Sequence, residues 1–344
     1  MKALLLSQYN RLEMADFPVP TPGPGEVQIR VAACGICGSD VHGYDGSSGR
    51  RIPPIVMGHE AAGTIAALGT GVTDLAIGER VTFDSTVSCG GCAFCIRGEV
   101  NLCDHREVLG VSCGDYRRAG AFAEYVIVPA AIVYRLPPSI SFPEAALLEA
   151  VAVAVHAVSL AESVPKNTAL VIGAGTIGLL CLQALRAAGC QRVFIADVDK
   201  SRLALAKTFG ATDLSPDSPV TAQVSEFTNG EGVDLAVEAV GRNETVAAAI
   251  AALRKGGTVV LVGNITSEVT LPLQKVVTRQ IRLQGSCASA GEYLRSIELM
   301  ASAAINVKPL ISAVAPLEEG ADWFKRLHAR EPGLTKVVLT PGVL

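Results

Sequence analysis

Four cysteines lie close together in one short stretch of this chain, and no other feature restricts its folding as strongly. They follow the spacing C-x2-C-x2-C-x7-C among glycines and charged residues, and they are Cys89, Cys92, Cys95 and Cys103. A loop with this spacing can surround a single tetrahedral Zn²⁺ with four thiolates. We therefore expect a closed, structural zinc site in the loop 89–103.

A second group of metal-ligating residue types has mixed chemistry. Cys37 follows a strand-like run, and the pair His59-Glu60 follows the apolar run 55–57. Thiolate, imidazole and carboxylate all suit Zn²⁺, and mixed ligation leaves a coordination position for water or substrate. The pattern predicts a catalytic zinc, so that the chain holds two zinc ions, although His59 taken alone would also suit a core position.

Length and composition exclude several classes of protein. With 344 residues the chain exceeds a single domain of roughly 100–200 residues, so two domains are expected. The net charge is −4 and the sequence shows no basic stripe, which argues against a nucleic-acid partner. The longest uncharged run, 167–185, is interrupted by glycines and indicates strand, turn and helix rather than a membrane span. Five of the ten cysteines belong to the two metal-ligating groups, and the chain has no cleavable signal pattern, so we expect a reducing, cytoplasmic location.

A glycine-rich segment, 173–178, has the pattern G-x-G-x-x-G. It directly follows the apolar strand 169–172 and opens a helix, the context in which such a loop binds the pyrophosphate of a dinucleotide. Asp197 ends the next strand nineteen residues after Gly178, where a carboxylate binds ribose hydroxyls and repels a 2′-phosphate, so NAD is favoured over NADP. Arg202 would stack on the adenine or be an ordinary helix cation. The predicted cofactor residues are Gly173, Gly175, Thr176, Ile177, Gly178, Asp197, Arg202, Val262, Gly263 and Asn264.

The pattern of apolar residues changes along the chain and suggests the domain boundaries. Short alternating runs and Pro-Gly turns up to about residue 138 indicate β structure, and the later βαβ pattern indicates a doubly wound parallel sheet. The terminal run 336–339 resembles the strands of the first half. We expect one domain from residues 1–150 and 288–344, and a Rossmann domain from residues 151–287.

Several motifs together resemble the zinc-containing medium-chain alcohol dehydrogenases. Gly58-His59-Glu60 with Gly63, Gly69 and Val72 matches the family signature GHE-x2-G-x5-G-x2-V. The segments 37–42, 147–149 and 306–310 are most similar to the sorbitol and other polyol dehydrogenases. The resemblance implies an α/β protein with a chaperonin-10-like β-barrel catalytic domain and a doubly wound Rossmann domain. It also implies a zinc-dependent transfer of hydride from a secondary alcohol, namely a polyol, sugar or sugar phosphate, to NAD.

The resemblance assigns roles to particular residues. Cys37 and His59 are implied as ligands of the catalytic zinc, with Glu60 as a further or exchanging ligand. Glu149 is implied to ligate the zinc or to hold its bound water, although it would also suit a plain helix N-terminus. Asp40 is implied to accept the second ring N–H of His59. Ser39 and His42 are implied to relay the alcohol proton to solvent, although a serine after glycine also caps turns.

The identity of the substrate is less constrained. Sorbitol-type relatives carry polyol-binding side chains where this chain has Gly43, Ala288 and Ser289, which predicts a wider, less polar pocket. Arg50 and Arg51 would bind a substrate phosphate or carboxylate or belong to a solvated loop, and we favour the loop.

Three alternatives to a polyol dehydrogenase remain open. They are a threonine-3-dehydrogenase-like enzyme, a butanediol-dehydrogenase-like enzyme, and a non-catalytic zinc-stabilised scaffold. By analogy with the relatives we expect a homodimer or homotetramer that pairs through edge strands of the nucleotide domain, with a small alcohol as substrate and no membrane association.

Overall fold

The computed structural model describes residues 1–113, 116–161 and 167–342. The chain divides into two compact units, which are described separately. Unit 1 comprises Met1–Glu149, Tyr293–Ala301 and Val307–Leu344, and unit 2 comprises Ala150–Glu292 and Ser302–Asn306.

Twenty strands are present in the described residues. In chain order, β1 to β20 are Lys2–Gln8, Arg11–Asp16, Glu26–Gly35, Ile55–Val56, Glu60–Leu68, Arg80–Phe83, Thr86–Val87, Glu107–Val108, Ser112–Cys113, Tyr116–Arg117, Tyr125–Pro129, Val133–Arg135, Thr168–Ile172, Arg192–Ala196, Thr212–Asp213, Val233–Glu238, Leu253–Leu261, Arg282–Gly285, Ile311–Pro316 and Lys336–Thr340.

Eleven α-helices accompany these strands in the described part of the chain. In chain order, α1 to α11 are Gly38–Tyr44, Ala93–Ile96, Phe142–Ala145, Leu148–Ser159, Thr176–Ala187, Lys200–Thr208, Val220–Phe227, Asn243–Ala252, Leu273–Thr278, Tyr293–Ala301 and Gly320–His328. Short 3₁₀ helices are Val100–Leu102, Ala130–Ile132, Lys308–Leu310 and Leu317–Glu319.

Unit 2 is built on a parallel sheet of six strands in the order β15-β14-β13-β16-β17-β18. Its central strands β13 and β16 are almost continuously buried, as is typical of strands covered by helices on both faces. Numbered within the unit, the strand order is 3-2-1-4-5-6, that of a doubly wound dinucleotide-binding sheet. The predicted Rossmann architecture is confirmed.

Unit 1 is mainly β structure. Its largest sheet follows the order β12-β6-β5-β3-β20-β19, and β11 pairs with the first half of β3. The last strand, β20, pairs antiparallel with the end of β3 at Gly35 and Cys34. Strand β5 covers the opposite edge of β3, where Glu60 lies opposite Gly35. The residues that immediately precede Cys37 are therefore held between β5 and β20.

Each unit buries its own hydrophobic core. In unit 1 the rings of Phe122 and Phe324 pack edge to face with centroids 5.7 Å apart. In unit 2 Phe194 and neighbouring aliphatic side chains fill the space between sheet and helices. Among the described residues, no helix combines the length and the apolar character that crossing a membrane requires.

Candidate active site and metal centres

Helix α1 places the first predicted site residues at its N-terminus. Cys37 is the N-cap, and its Sγ accepts the N–H of Ser39 at 3.5 Å. The Asp40 carboxylate accepts the Cys37 N–H at 3.2 Å, which completes a capping box. Three residues with predicted chemical roles are thus fixed on one helical turn by local hydrogen bonds.

His59 and Glu60 approach Cys37 from the start of β5. The chain turns at Gly58, whose φ is +96° and where an added Cβ would lie 2.9 Å from Cys34 Sγ. The ligand atoms of Cys37, His59 and Glu60 all lie within 4.8 Å of one another. A tetrahedral Zn²⁺ with bonds of about 2.0–2.3 Å places neighbouring donors roughly 3.3–3.8 Å apart, so this donor set fits the ion.

Asp40 controls the charge of His59. Its Oδ1 lies 3.3 Å from His59 Nδ1, within ion-pair distance although not aligned as a straight hydrogen bond. Burial alone would raise the pKa of Asp40, but His59 and Arg51 lower it to about 2. Burial would in turn lower the pKa of His59, but Asp40 and Cys37 raise it well above its usual value. Asp40 therefore makes the imidazole more basic, as partners of metal-binding histidines do.

Glu60 forms a buried ion pair that the sequence did not predict. Lys336 Nζ, at the start of β20, lies 2.7 Å and 2.9 Å from the two Glu60 carboxylate oxygens. Lys336 also donates to the carbonyl of Ile36 at 3.2 Å. Burial lowers the pKa of Lys336, but Glu60 and Cys37 outweigh it and raise the value to about 12. Gly35 provides the room, since a Cβ there would lie 2.4 Å from Glu60 Oε2.

Glu149 lies near these groups at the start of α4. Burial raises its pKa to about 7; His59 opposes this shift, and the carboxylates of Glu60 and Asp84 add to it. Within the described residues, Glu149 is not part of the cluster whose ligand atoms lie within 4.8 Å of one another. The carboxylate thus belongs to the electrostatic surroundings of Cys37, His59 and Glu60.

Ser39 and His42 differ in their surroundings. Ser39 Oγ lies 3.5 Å from His59 Nε2, whereas His42 is exposed to solvent and its Nδ1 lies 3.4 Å from Ser47 Oγ. Ser39, beside the ligand cluster, and His42, at the surface, are therefore placed as the inner and the outer end of a proton path would require.

The solvated loop favoured for both arginines is wrong for Arg51. Arg50 is exposed, but the Arg51 guanidinium is buried and donates to Asp40 Oδ1 at 3.0 Å and Ser39 Oγ at 3.1 Å. The stem of the Arg51 side chain fills the space that a side chain at position 43 would occupy.

The four-cysteine loop brings its thiols together. Sγ atoms of Cys92 and Cys95 are 3.5 Å apart, and all four sulfur atoms lie within 4.8 Å of one another. Four thiolates at about 2.3 Å from one Zn²⁺ are separated by roughly 3.8 Å, so the set fits a closed zinc site. Backbone N–H groups of Cys95 and Asp104 lower the pKa of Cys92 to about 6, whereas burial raises that of Cys103 to about 11.

The glycine-rich loop of unit 2 has the geometry that the motif requires. Gly173 has φ +97°, and a Cβ on Gly178 would lie 1.7 Å from the Gly173 carbonyl oxygen. Around Gly175 there is open space for a phosphate to approach. Asp197 at the end of β14 accepts the Ala174 N–H at 2.6 Å, so the acidic residue also fixes the loop.

The remaining predicted cofactor residues lie near the carboxyl ends of the central strands. Arg202 lies on α6 and forms an exposed ion pair with Asp199 at 3.6 Å. The N–H groups of Val262 and Gly263 donate to the Glu238 carbonyl, and Asn264 follows them. Thr176 and Ile177 begin helix α5.

Three residues of these sites escaped sequence reasoning, namely Arg51, Lys336 and Glu238. Glu238 is buried at the end of β16 and accepts the N–H groups of Val240 and Gly241, which holds the turn beside the glycine-rich loop. A charged residue inside an apolar strand run was a usable signal for Glu238, whereas Lys336 only opens its run. Arg51 lies in a polar loop and had no such signal.

The chain is similar to known proteins over almost its whole length. Residues 23–138 match the model of the alcohol dehydrogenase GroES-like domain, and residues 176–302 match that of the zinc-binding dehydrogenase. A probable D-xylulose reductase A of Emericella nidulans is 35% identical, with 99% of this chain and 96% of that protein covered. Sorbitol dehydrogenase of Bacillus subtilis is 33% identical, with 99% and 98% covered.

The solved structures agree with this result. The crystal structure of galactitol-1-phosphate dehydrogenase from Escherichia coli has a TM-score of 0.91 and 29% identity, and the comparison covers 99% of this chain and 100% of that one. The chain belongs to the zinc-containing medium-chain alcohol dehydrogenase family, in its polyol dehydrogenase group.

Proposed function

We propose that this protein oxidises a secondary alcohol of a polyol, sugar or sugar phosphate with NAD⁺ in a zinc-dependent reaction. The observation that carries the proposal is the convergence of Cys37, His59 and Glu60, whose ligand atoms lie within 4.8 Å of one another beside the Ser39 hydroxyl. In a non-catalytic scaffold there would be no need for the Ser39 hydroxyl beside His59, or for the buried Asp40 carboxylate that makes His59 more basic.

The catalytic zinc would be held by Cys37 and His59, with the carboxylates of Glu60 and Glu149 completing or exchanging in the ligand set. Lys336 holds Glu60 in a buried ion pair, so ligation by Glu60 requires that this pair loosen. The raised pKa of Glu149 follows from burial and from neighbouring carboxylates, surroundings that a divalent cation would compensate. The second zinc would be held by Cys89, Cys92, Cys95 and Cys103 in a purely structural site.

When bound, zinc is a Lewis acid that makes a coordinated hydroxyl ionise near neutral pH. Ser39 would accept the alcohol proton as it gives up its own, and exposed His42 would deliver a proton to water. Asp40 keeps the His59 ring oriented while this occurs. NAD⁺, when bound, would supply the acceptor for the carbinol hydride.

NAD would bind at the carboxyl ends of the unit 2 strands. The N-terminus of α5 and the open space at Gly175 suit the pyrophosphate, and Asp197 suits the ribose hydroxyls and disfavours a 2′-phosphate. Gly173, Thr176, Ile177 and Gly178 would form the loop, while Arg202 and Val262, Gly263 and Asn264 would border the nucleotide.

The relatives support the substrate class. The reported relatives are named for xylulose, sorbitol or galactitol 1-phosphate, which are all polyhydroxylated carbon chains or their ketoses. At Gly43, Ala288 and Ser289 this chain offers fewer hydrogen bonds than a sorbitol site, so we propose a substrate other than sorbitol itself.

The protein would act as a homodimer or a homotetramer in a reducing compartment, the cytoplasm. Strand β18 is an edge strand of the parallel sheet and its four residues are exposed, and the neighbouring helix α9 exposes Leu273 and Val277. Edge strands with adjacent apolar side chains are prone to pair with a second copy. All ten cysteines lie in described parts of the chain and none forms a disulfide.

Purified protein assayed with NAD⁺ and a panel of polyols, ketoses, sugar phosphates, butanediol and threonine tests the proposal. We expect NADH formation with at least one polyol or sugar phosphate, loss of activity after chelation, and recovery with Zn²⁺. Cys37→Ser and Asp197→Ala serve as probes: the first should abolish turnover with one zinc retained, and the second should narrow the preference for NAD⁺ over NADP⁺. Activity that persists without zinc, or turnover only of butanediol or threonine, would contradict the proposal.

A further inference from the structure

Arg51 is a buried cation whose guanidinium donates to two residues of the proposed active site. Its side chain is 4% exposed, and Nη2 donates to Ser39 Oγ at 3.1 Å and to Asp40 Oδ1 at 3.0 Å. One nitrogen thus bridges the proposed proton acceptor and the carboxylate that orients His59. Burying a guanidinium is costly unless it is paired, and here the pairing is made with two residues of the site.

Gly43 and Arg51 are packed as one unit. A Cβ built on Gly43 would lie 2.5 Å from Arg51 Cδ and 2.8 Å from Cγ. The Arg51 stem therefore occupies the volume that any side chain at position 43 would need. Gly43 lies within α1 and its φ is outside the left-handed region, so alanine is compatible with its backbone and tests packing alone.

We propose that Arg51 is a positioning residue for the dehydrogenase reaction, which fixes the Ser39 hydroxyl for proton transfer and couples it to Asp40. This inference rests on the proposed function. A serine hydroxyl has one hydrogen to donate and two lone pairs. Since Arg51 holds one lone pair, the other accepts the alcohol proton while the hydroxyl hydrogen is free to pass onward. The guanidinium charge favours the partial negative charge on Oγ that develops when the hydroxyl hydrogen moves onward ahead of the arriving alcohol proton.

Three variants test this role, with the zinc-loaded enzyme and its best alcohol substrate. Arg51→Met keeps the stem against Gly43 but removes the donors, Arg51→Lys restores one charged donor, and Arg50→Met is a matched control at the exposed neighbour. We expect Arg51→Met to lower kcat about 10- to 100-fold, as the loss of a charged hydrogen bond predicts, with KM changed less than about threefold. Arg51→Lys should recover part of kcat, and Arg50→Met should leave kcat unchanged.

Two further measurements separate positioning from a structural role. The solvent deuterium isotope effect on kcat should increase in Arg51→Met, because proton transfer becomes slower, while zinc content by mass spectrometry stays at the wild-type value. Gly43→Ala displaces the Arg51 stem and should also lower kcat, but it should have no effect in an Arg51→Ala background. Such non-additivity would show that Gly43→Ala lowers kcat by displacing the Arg51 side chain.

Each outcome decides between the role and its absence. Unchanged kcat and isotope effect in Arg51→Met, or a loss of activity that added Zn²⁺ fully reverses, would overturn the role of Arg51 and leave the proposed function intact. A wild-type enzyme inactive on every alcohol would overturn both. If Arg51→Met does not fold, Arg51→Lys and Gly43→Ala decide by the same isotope effect, and wild-type values in both overturn the role.

Discussion

Replacing Lys336 by methionine should destabilise unit 1 far more than a surface lysine substitution does. The Lys336 and Glu60 side chains are 3% and 1% exposed and their charged atoms are 2.7 Å apart. At that separation and an effective dielectric constant of about 20, the attraction is about 6 kcal/mol. Much of it offsets the cost of desolvating both charges. The net cost of breaking a buried pair is about 3–5 kcal/mol, because the Glu60 carboxylate stays buried without its cation.

The pH dependence of this effect has a definite sign. The pKa of Lys336 is raised to about 12 in the folded chain, so its contribution is fully present below the unfolded value of about 10.4 and is lost only as pH rises towards 12. Lys336 stays charged in both states between pH 7 and 9. Its contribution to the difference in unfolding free energy between wild type and Lys336→Met should therefore be constant over that range.

Urea unfolding followed by tryptophan fluorescence measures this difference in unfolding free energy for unit 1, where Lys336 lies. The chain has one tryptophan, Trp323, which lies on α11 and packs against the unit 1 core. The control is Lys2→Met, since Lys2 forms an exposed ion pair with Asp16 at 2.9 Å and its loss should change little. The double variant Lys336→Met with Glu60→Gln should recover much of the stability, because no unpaired charge remains. A Lys336→Met unfolding midpoint equal to that of Lys2→Met would refute the argument.

Three further predictions concern other parts of the chain. Gly178→Ala should weaken NADH binding about 100-fold or more without loss of zinc, because the new Cβ would lie 1.7 Å from the Gly173 carbonyl oxygen; fluorescence titration with NADH measures it. Cys103→Ser should lower the zinc content by one ion per chain and reduce the thermal midpoint, and unchanged metal content would contradict the structural site. Burial alone would raise the pKa of Glu292, but the contact with His156 outweighs burial and lowers this pKa. The carboxylate therefore stabilises the fold fully above its unfolded pKa of about 4.3, and this stabilisation is lost as pH falls through the folded pKa. Glu292→Gln should thus cost about 1–2 kcal/mol at pH 7 and less near pH 4, as judged by urea unfolding followed by circular dichroism.

Local interactions explain why much of the site was predictable from sequence. Cys37, Ser39 and Asp40 share one helical turn, and their contacts are those of a capping box. The glycine-rich loop and the four-cysteine loop are also contiguous, so residue type and spacing determine their geometry. The parallel sheet follows from the apolar runs that alternate with helical segments, because strands covered on both faces need continuous apolar sequence.

The contacts of Arg51 and Lys336, which sequence reasoning missed, depend on how the chain packs rather than on local spacing. Arg51 reaches Asp40 through the packing of its stem against Gly43, and the sequence pattern of a Ser-Gly-Arg-Arg loop contains no information about that packing. Lys336 and Glu60 are 276 residues apart. Arg51 was expected in a solvated loop, whereas the fold buries both its guanidinium and the Lys336 ammonium, and a buried charge needs a partner.

The position of Lys336 means that the catalytic ligands depend on the last strand of the chain. Strand β20 pairs with the end of β3, and the Val337 carbonyl accepts the Ile36 N–H at 2.9 Å while Lys336 donates to the Ile36 carbonyl. The same strand therefore holds the backbone directly before Cys37 and the carboxylate of Glu60. All the proposed ligands of the catalytic zinc precede residue 150 in sequence, but their geometry is complete only when β20 has paired. Because a metal site requires ligands held in place rather than ligands merely present, binding of the catalytic zinc should follow the docking of β20 during folding.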